Sequence, residues 1–279
     1  MESELWRSIV RAAEAVGKEF PFFRVQYSER VIALVVLWAE VHQQPICWAC
    51  RTAPLVRRPS PSTMSRRMFT AATQTFLARM LEHLSPRGGP TWCKWMDSRP
   101  LPVGGSSHDP DAHVGRAAGL MAKGYKLHLI SDGGGRVVAW DVRPMNDNDK
   151  TAAPPLLRRL DDQGYVVADN QYDSNPLFDL AGAHGHQLVV PRRHGTNFGH
   201  QKHSPYRFRS AALLERPFGQ ALLRQRYDID RLFAQQGNFG AGLSPLPNWV
   251  RRLHRVRSWV HGKLVILAAW RQNKQRLTA

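Results

Sequence analysis

Acidic residues are scarce in this chain: 22 Asp and Glu stand against 39 Lys and Arg, for a net charge of +17. Such a balance disfavours a cationic partner and favours a polyanion, of which nucleic acid is the usual one. Cysteine is scarcer still. Three residues exclude a disulfide scaffold and fit a reducing, cytoplasmic setting. Cys47 and Cys50 form a lone C-x-x-C. A zinc site needs two more ligands at suitable spacing, and none follows nearby, so the pair reads as reduced thiols in an apolar helix. Long hydrophobic runs are missing too. Ile32–Ala39 is apolar but far too short to span a bilayer, and Arg30 and Glu40 bracket it, so no membrane partner is expected. The opening MESELWRSIV carries acids and lacks the apolar stretch of a secretory signal. Internal repeats and long low-complexity tracts are absent.

What is present is a foldable chain. Hydrophobic residues make up 43% of 279, enough to bury a core and to exclude global disorder. The positive excess is concentrated late: from Arg192 to Ala279 there are 17 Lys and Arg but three acids, Glu215, Asp228 and Asp230. That segment keeps apolar periodicity, so it reads as folded basic helices and not as a disordered arm.

Residues 1 to about 84 read as helical, with helix-compatible spacing over Arg30–Val41 and Met68–Leu84. Pro59 and Pro61 break the chain between them, and Ser62 or Thr63 is placed to cap the next helix. A helix opening with Ser65-Arg66-Arg67 is compatible with a DNA-binding helix-turn-helix and equally with an ordinary bundle carrying a basic turn. Ser85-Pro86-Arg87-Gly88-Gly89-Pro90 marks a junction. We therefore expect a helical region over 1–90 and a second domain over 91–279.

Beyond the junction the pattern changes. Trp92–Asp97, Gly124–Ser131 and Arg136–Arg143 read as strands, the last two joined by the tight turn Asp132-Gly133-Gly134-Gly135. Thr151–Leu160 reads as a helix, Gly164–Asp169 as a buried strand, Ser174–Ala181 as a helix capped by Ser174, and Gln187–Pro191 as a strand. Arg216–Gln236 and Pro247–Arg276 read as largely helical. The hairpin makes the second and third strands antiparallel, and the helix after them makes the next strand a parallel crossover. The fold class is α/β, an RNase H-like mixed sheet flanked by helices and preceded by a small all-helical region.

Two carboxylates sit where such a sheet carries chemistry. Asp97 ends the run WCKWM and Asp169 ends YVVA, so each falls at the C-terminal edge of a buried strand. A lone aspartate there often just caps the following turn. Two on central strands are harder to dismiss, and carboxylates suit Mg²⁺, a hard ion that prefers oxygen ligands and keeps phosphate and water in its shell. A third acid is expected from a late helix. Asp230, in RQRYDIDRLF, fits; Asp228 points to another side of the same helix. Glu215 precedes Pro217, where capping is the simpler role.

These residues carry a resemblance. The chain resembles the DDE transposases of bacterial insertion sequences, of the insertion-sequence four/five type. Four blocks match in order: Met96–Val103 around the first acid, Gly115–Asp149, Tyr165–Ser174 with the second acid, and Arg224–Leu264 with the third. The resemblance implies Asp97, Asp169 and Asp230 as metal ligands for two Mg²⁺ or Mn²⁺ ions. It implies hydrolysis at the element's ends and attack of the freed 3′-hydroxyl on target DNA, by a homodimer or higher multimer on double-stranded DNA. The sequence departs from the family signature Tyr-x₂-Arg-x₃-Glu-x₆-Lys at three positions. Arg226 matches, but Asp230 replaces Glu, Leu223 the Tyr and Gly237 the Lys.

Arg251, Arg252, Arg255 and Arg257, on a helix over Trp249–Trp259, are candidates for phosphate contacts, as are Arg192 and Arg193 after a strand end. Arg226 and Arg231 flank the third acid and can clamp a scissile phosphate or pair with Asp228. Trp249, Leu253, Val256, Trp259 and Val260 recur at helical spacing and read as core. His200 and His203 read as part of a solvated basic loop. Two alternatives stay open from sequence: a catalytically impaired DNA-binding remnant, which the shortened third acid favours, and an RNase H-like nuclease without strand transfer.

Overall fold

The sheet grows from one long antiparallel core onto which two parallel strands are added. The computed structural model describes residues 2–20, 25–85, 92–117, 119–193, 203–238, 242–243 and 245–278. The strands are β1 (Cys93–Pro102), β2 (His113–Ala117), β3 (Leu120–Asp132), β4 (Val137–Pro144), β5 (Gly164–Val167) and β6 (His186–Val189). β1 and β4 pair antiparallel with β3, while β5 pairs parallel with β1 and β6 parallel with β5. Leaving β2 aside, the spatial order is β4-β3-β1-β5-β6. Three antiparallel strands followed by two parallel crossovers in that order make the RNase H-like sheet that the sequence predicts. β2 is an addition the sequence did not announce; it pairs with the first half of β3, before β4 takes over that strand's second half.

Eleven helices complete the described residues: α1 (Glu2–Glu19), α2 (Glu29–Val41), α3 (Ile46–Thr52), α4 (Pro61–Arg67), α5 (Ala71–Leu84), α6 (Asp149–Leu157), α7 (Asn175–Ala183), α8 (Pro205–Leu214), α9 (Pro217–Arg224), α10 (Tyr227–Asn238) and α11 (Leu253–Thr278). No single one is long and apolar enough to cross a membrane. Backbone contacts divide the chain into two units, Met1–Pro86 with Gln235–Ala279, and Arg87–Ala234. In the first unit α11 packs against α1, α2 and α5. Its buried face, including Val256, Val260, Leu264 and Ile266, finds an apolar partner among those helices.

Within the helical unit, Ser60 caps α4 by accepting from the Thr63 N–H at 3.2 Å, with Pro61 at the first helical position. The cap thus falls before the two residues the sequence nominated. Arg67 ends α4 and is drawn into an ion pair with the buried Glu29, while Ser65 and Arg66 are exposed.

In the sheet unit, Met96, Ile130, Val166, Ala168 and Leu188 share one face and pack on Leu156, Leu157, Leu177 and Phe178 of α6 and α7. Asn148 caps α6 and accepts from the Lys150 N–H at 3.0 Å. The hairpin between β3 and β4 is held by Asp132, whose Oδ1 accepts from the N–H groups of Gly134 and Arg136. Lys94, wholly buried, pairs with Asp162 at 2.7 Å, tying β1 to the turn before β5.

The register between β1 and β5 depends on Gly164. Its φ is +138°, and a Cβ there would stand 2.0 Å from the Trp92 carbonyl oxygen. That carbonyl accepts from the Tyr165 N–H at 2.7 Å, the bond that starts the pairing. Gly164→Ala should therefore cost more than ~2 kcal/mol, through backbone strain and displacement together. Chemical denaturation measures it; a loss below ~0.5 kcal/mol would mean the turn relaxes freely.

Candidate active site

Asp97 lies inside β1, which runs on to Pro102 and does not end at Asp97 as the sequence predicts, because its pairing with β3 continues that far, and Asp169 follows two residues after the end of β5. Trp95 pairs with Val167. That pair ends the ladder, two residues before Asp97 on one chain segment and two before Asp169 on the other. Alternation fixes the face. Met96 and Ala168 point to α6 and α7, so Asp97 and Asp169 project to the opposite side. Each carboxylate also accepts from a backbone N–H close by in sequence. Asp97 Oδ1 accepts from the Ser98 N–H at 2.7 Å, and Asp169 Oδ1 accepts from the Gln171 N–H at 2.9 Å, capping a short 3₁₀ turn over Asn170–Tyr172. Such backbone bonds and a catalytic position are thus compatible here, since each carboxylate keeps a second oxygen.

α10 supplies the third acid. Ile229, Leu232 and Phe233 are buried and seat the helix, whereas Asp230 is exposed beside that stripe. Arg226 lies one helical turn before Asp230. The electrostatics show what these groups face. Burial drives the Asp97 pKa from 3.8 up to about 7; the Ser98 N–H bond and Arg226 oppose the rise, and the charges of Asp169 and Asp230 add to it. Asp169 is raised as well, first by burial, against the Gln171 bond and Arg226, with Asp149 adding repulsion. Arg226 is therefore the cation shared by Asp97 and Asp169, and Asp97 feels both other members of the trio.

The family model for the transposase DDE domain matches residues 88–276, more than half of the chain. The chain belongs to the DDE transposase family. No curated protein matches it. Among solved structures, the cryo-EM structure of the piggyBac transposase synaptic complex with hairpin DNA aligns with 12% identity and a TM-score of 0.35, covering 71% of this chain and 52% of that one. The chain thus spans about half the length of that protein.

DDE transposases use divalent metal ions, and the donor set here suits one: three carboxylates offer oxygen ligands only, the preference of Mg²⁺ and Mn²⁺. The crowding of negative charge around Asp97, compensated by Arg226, is the environment a cation relieves. As they stand, no three His, Cys, Asp or Glu side chains among the described residues lie close enough to hold one ion. Asp97 feels the charges of both Asp169 and Asp230.

Further groups at this end of the sheet escaped the sequence reading. Asp149 opens α6, and its Oδ1 lies 3.3 Å from Lys126 Nζ and 3.4 Å from His128 Nδ1. Burial holds His128 neutral, with a pKa pushed down to about 4. Tyr172 is buried beneath the acids; burial first, then Asp149, Asp97 and Asp169, keep its phenol well above its ordinary pKa. Asp149 closes the second matching block, which was the available signal. Asp173 anchors the neighbouring loop, accepting from Arg207 at 2.7 Å and from the Arg193 N–H at 3.1 Å.

The basic candidates divide. Arg193 and Arg231 are exposed in the sheet unit, and Arg192 is half-buried. Arg251, Arg252, Arg255 and Arg257 belong to the helical unit. They do not share one helix: α11 starts at Leu253, because Arg252 adopts a left-handed φ of 74° and Val250 closes a turn onto the Pro247 carbonyl. Arg251 precedes it, donating to the carbonyls of Pro247 and Val250. Arg252, Arg255 and Arg257 are exposed. Trp249, read as core, is 42% exposed for the same reason, while Val256, Trp259 and Val260 are buried as expected. Glu215 ends α8 instead of capping the start of α9, whose N-cap is Arg216. His203 bonds to Arg207, whereas His200 and the side chain of Asp228 lie outside the described residues.

Proposed function

We propose that the chain cuts the ends of an insertion sequence and joins them to target DNA, with Asp97, Asp169 and Asp230 as ligands for two Mg²⁺ or Mn²⁺ ions. The observation that supports this reading is that Asp97 feels the charges of Asp169, Asp230 and Arg226 together. When bound, the ions supply an activated attacking oxygen and a stabilised leaving oxygen for in-line phosphodiester transfer. The protein's part is placement. Asp97 is held on β1 and Asp169 just beyond β5 by bonds from the Ser98 and Gln171 N–H groups, and Arg226 offers a guanidinium to the scissile phosphate. In the first reaction a water oxygen forms the new bond to phosphorus and the 3′-oxygen leaves as a hydroxyl. In the second, that hydroxyl attacks a target phosphodiester and a target 3′-oxygen leaves. Each step exchanges one P–O bond for another, so no nucleotide cofactor is required. Double-stranded DNA, both element ends and target, is the partner, bound by a dimer or higher multimer.

The test is Mg²⁺- or Mn²⁺-dependent nicking and joining of DNA carrying the ends that flank the gene. Joining that disappears in Asp97→Ala supports the reading; cleavage without joining supports an RNase H-like nuclease instead. One observation favours a DNA-binding remnant: the three acids do not close on a single ion. Binding with no cleavage under either ion would establish that alternative.

The exposed arginines of the helical unit are assigned to phosphate contacts. Arg255→Ala and Arg257→Ala should each reduce the slope of log K against log salt by about 0.9 on duplex DNA. Binding titrations at several salt concentrations read this directly. An unchanged slope in both variants would remove that segment from the interface.

A further inference from the structure

We propose that Arg99 is the positioning residue that fixes α10, and with it Asp230, relative to Asp97 on β1, an inference that rests on reading Asp97, Asp169 and Asp230 as the metal ligands. Arg99 lies two residues beyond Asp97 on β1, so it projects from the same face. Its Nη1 donates to the backbone carbonyl of Phe233 in α10. Phe233 stands three residues after Asp230, almost one turn along the same helix. One side chain therefore links the strand that carries the first acid to the helix that carries the third.

Apolar seating alone does not fix that geometry. Ile229, Leu232 and Phe233 bury α10, but hydrophobic contact is non-directional and allows small rotations and slides of a helix. A charge-assisted hydrogen bond to one chosen carbonyl is directional and removes that freedom. The guanidinium is half-buried and donates to a neutral backbone carbonyl, a bond that gives direction more than stability. That is the pattern of a group retained for geometry, at a site where a displacement of about 1 Å costs ~10²-fold in rate. Lysine reaches similar distances but presents a rotatable point charge without the planar fork.

The experiment is a double-mutant cycle on the whole chain, read as Mn²⁺ affinity from the electron paramagnetic resonance signal of the free ion. Asp230→Asn should weaken Mn²⁺ binding roughly tenfold in the native background and less than about twofold in Arg99→Met, because without Arg99 the third ligand is already out of place. Arg99→Lys should retain an intermediate coupling, and it replaces Arg99→Met if that variant does not fold. Equal losses from Asp230→Asn in the native and Arg99 backgrounds would overturn the role of Arg99, since a merely structural residue lowers affinity without coupling. No loss from Asp230→Asn in the native background would instead remove Asp230 from the ligand set, and with it the reading on which this inference stands.

Discussion

Asp97→Asn should abolish strand cleavage and joining while making the metal-free protein more stable at pH 8. The first half follows from losing an anionic oxygen ligand; an effect of several kcal/mol on the barrier corresponds to about 10³-fold or more in rate. The second half follows from the folded-state pKa of about 7, set mainly by burial, against the ordinary 3.8. A carboxyl whose pKa rises on folding binds its proton more tightly in the folded state. The penalty for ionising it is absent below about pH 3.8, grows across the window up to about 7, and is complete above that. Asparagine stays neutral throughout, and its Oδ1 can still accept from the Ser98 N–H. At pH 8 in EDTA the variant should therefore gain on the order of 2–4 kcal/mol. Thermal melts should show the gain shrinking as pH falls below 7, and saturating Mg²⁺ should stabilise the native protein more than the variant. A lower melting temperature for Asp97→Asn at pH 8 without metal would contradict the burial argument, whatever happened to activity.

That trade between stability and chemistry explains why the first two acids were visible in the sequence. An aspartate closing a run such as WCKWM or YVVA conflicts with its apolar neighbours, and such local conflicts gather at functional sites. The turn Asp132–Gly135 and the β-branched runs were equally legible, because short-range chemistry decides them. What stayed hidden depends on partners distant along the chain. β2 pairs with the start of β3, and Gly115 lets the backbone approach the Met145 carbonyl, which no local pattern in HVGRA announces. Lys94 looks like a surface residue until Asp162 is folded against it. Arg99 and Asp149 act through contacts with α10 and β3, so only the assembled sheet reveals them. α8 was not legible because its residues, PYRFRSAALL, are amphipathic only weakly. The start of α11 was misplaced because a single left-handed residue, Arg252, ends the preceding turn.

Asp230→Glu should raise cleavage activity at least about tenfold. Asp230 is carried on α10, which is seated by Ile229, Leu232 and Phe233 and tied to β1 by the Arg99 bond to the Phe233 carbonyl, so the side chain must span the remaining gap to Asp97 and Asp169. The charge of Asp230 reaches Asp97, yet the three acids do not approach closely enough to share one ion. Glutamate adds one methylene, ~1.5 Å of reach, and restores the residue type that the family signature places there. Ligand displacements of about 1 Å already cost ~10²-fold in well-oriented sites, so a gain of one order of magnitude uses only part of that range. Mn²⁺ tolerates a wider choice of ligands than Mg²⁺ and should narrow the difference between the two proteins. The comparison to make is nicking rate under Mg²⁺ for the native chain, Asp230→Glu and Asp230→Ala. A gain for Glu with a loss for Ala places the third ligand at this position and identifies its length as limiting. Equal rates for all three would remove Asp230 from the reaction and leave Asp97 and Asp169 to act with a different third group, for which Asp149, already close enough to raise the pKa of Asp169, is the nearest candidate.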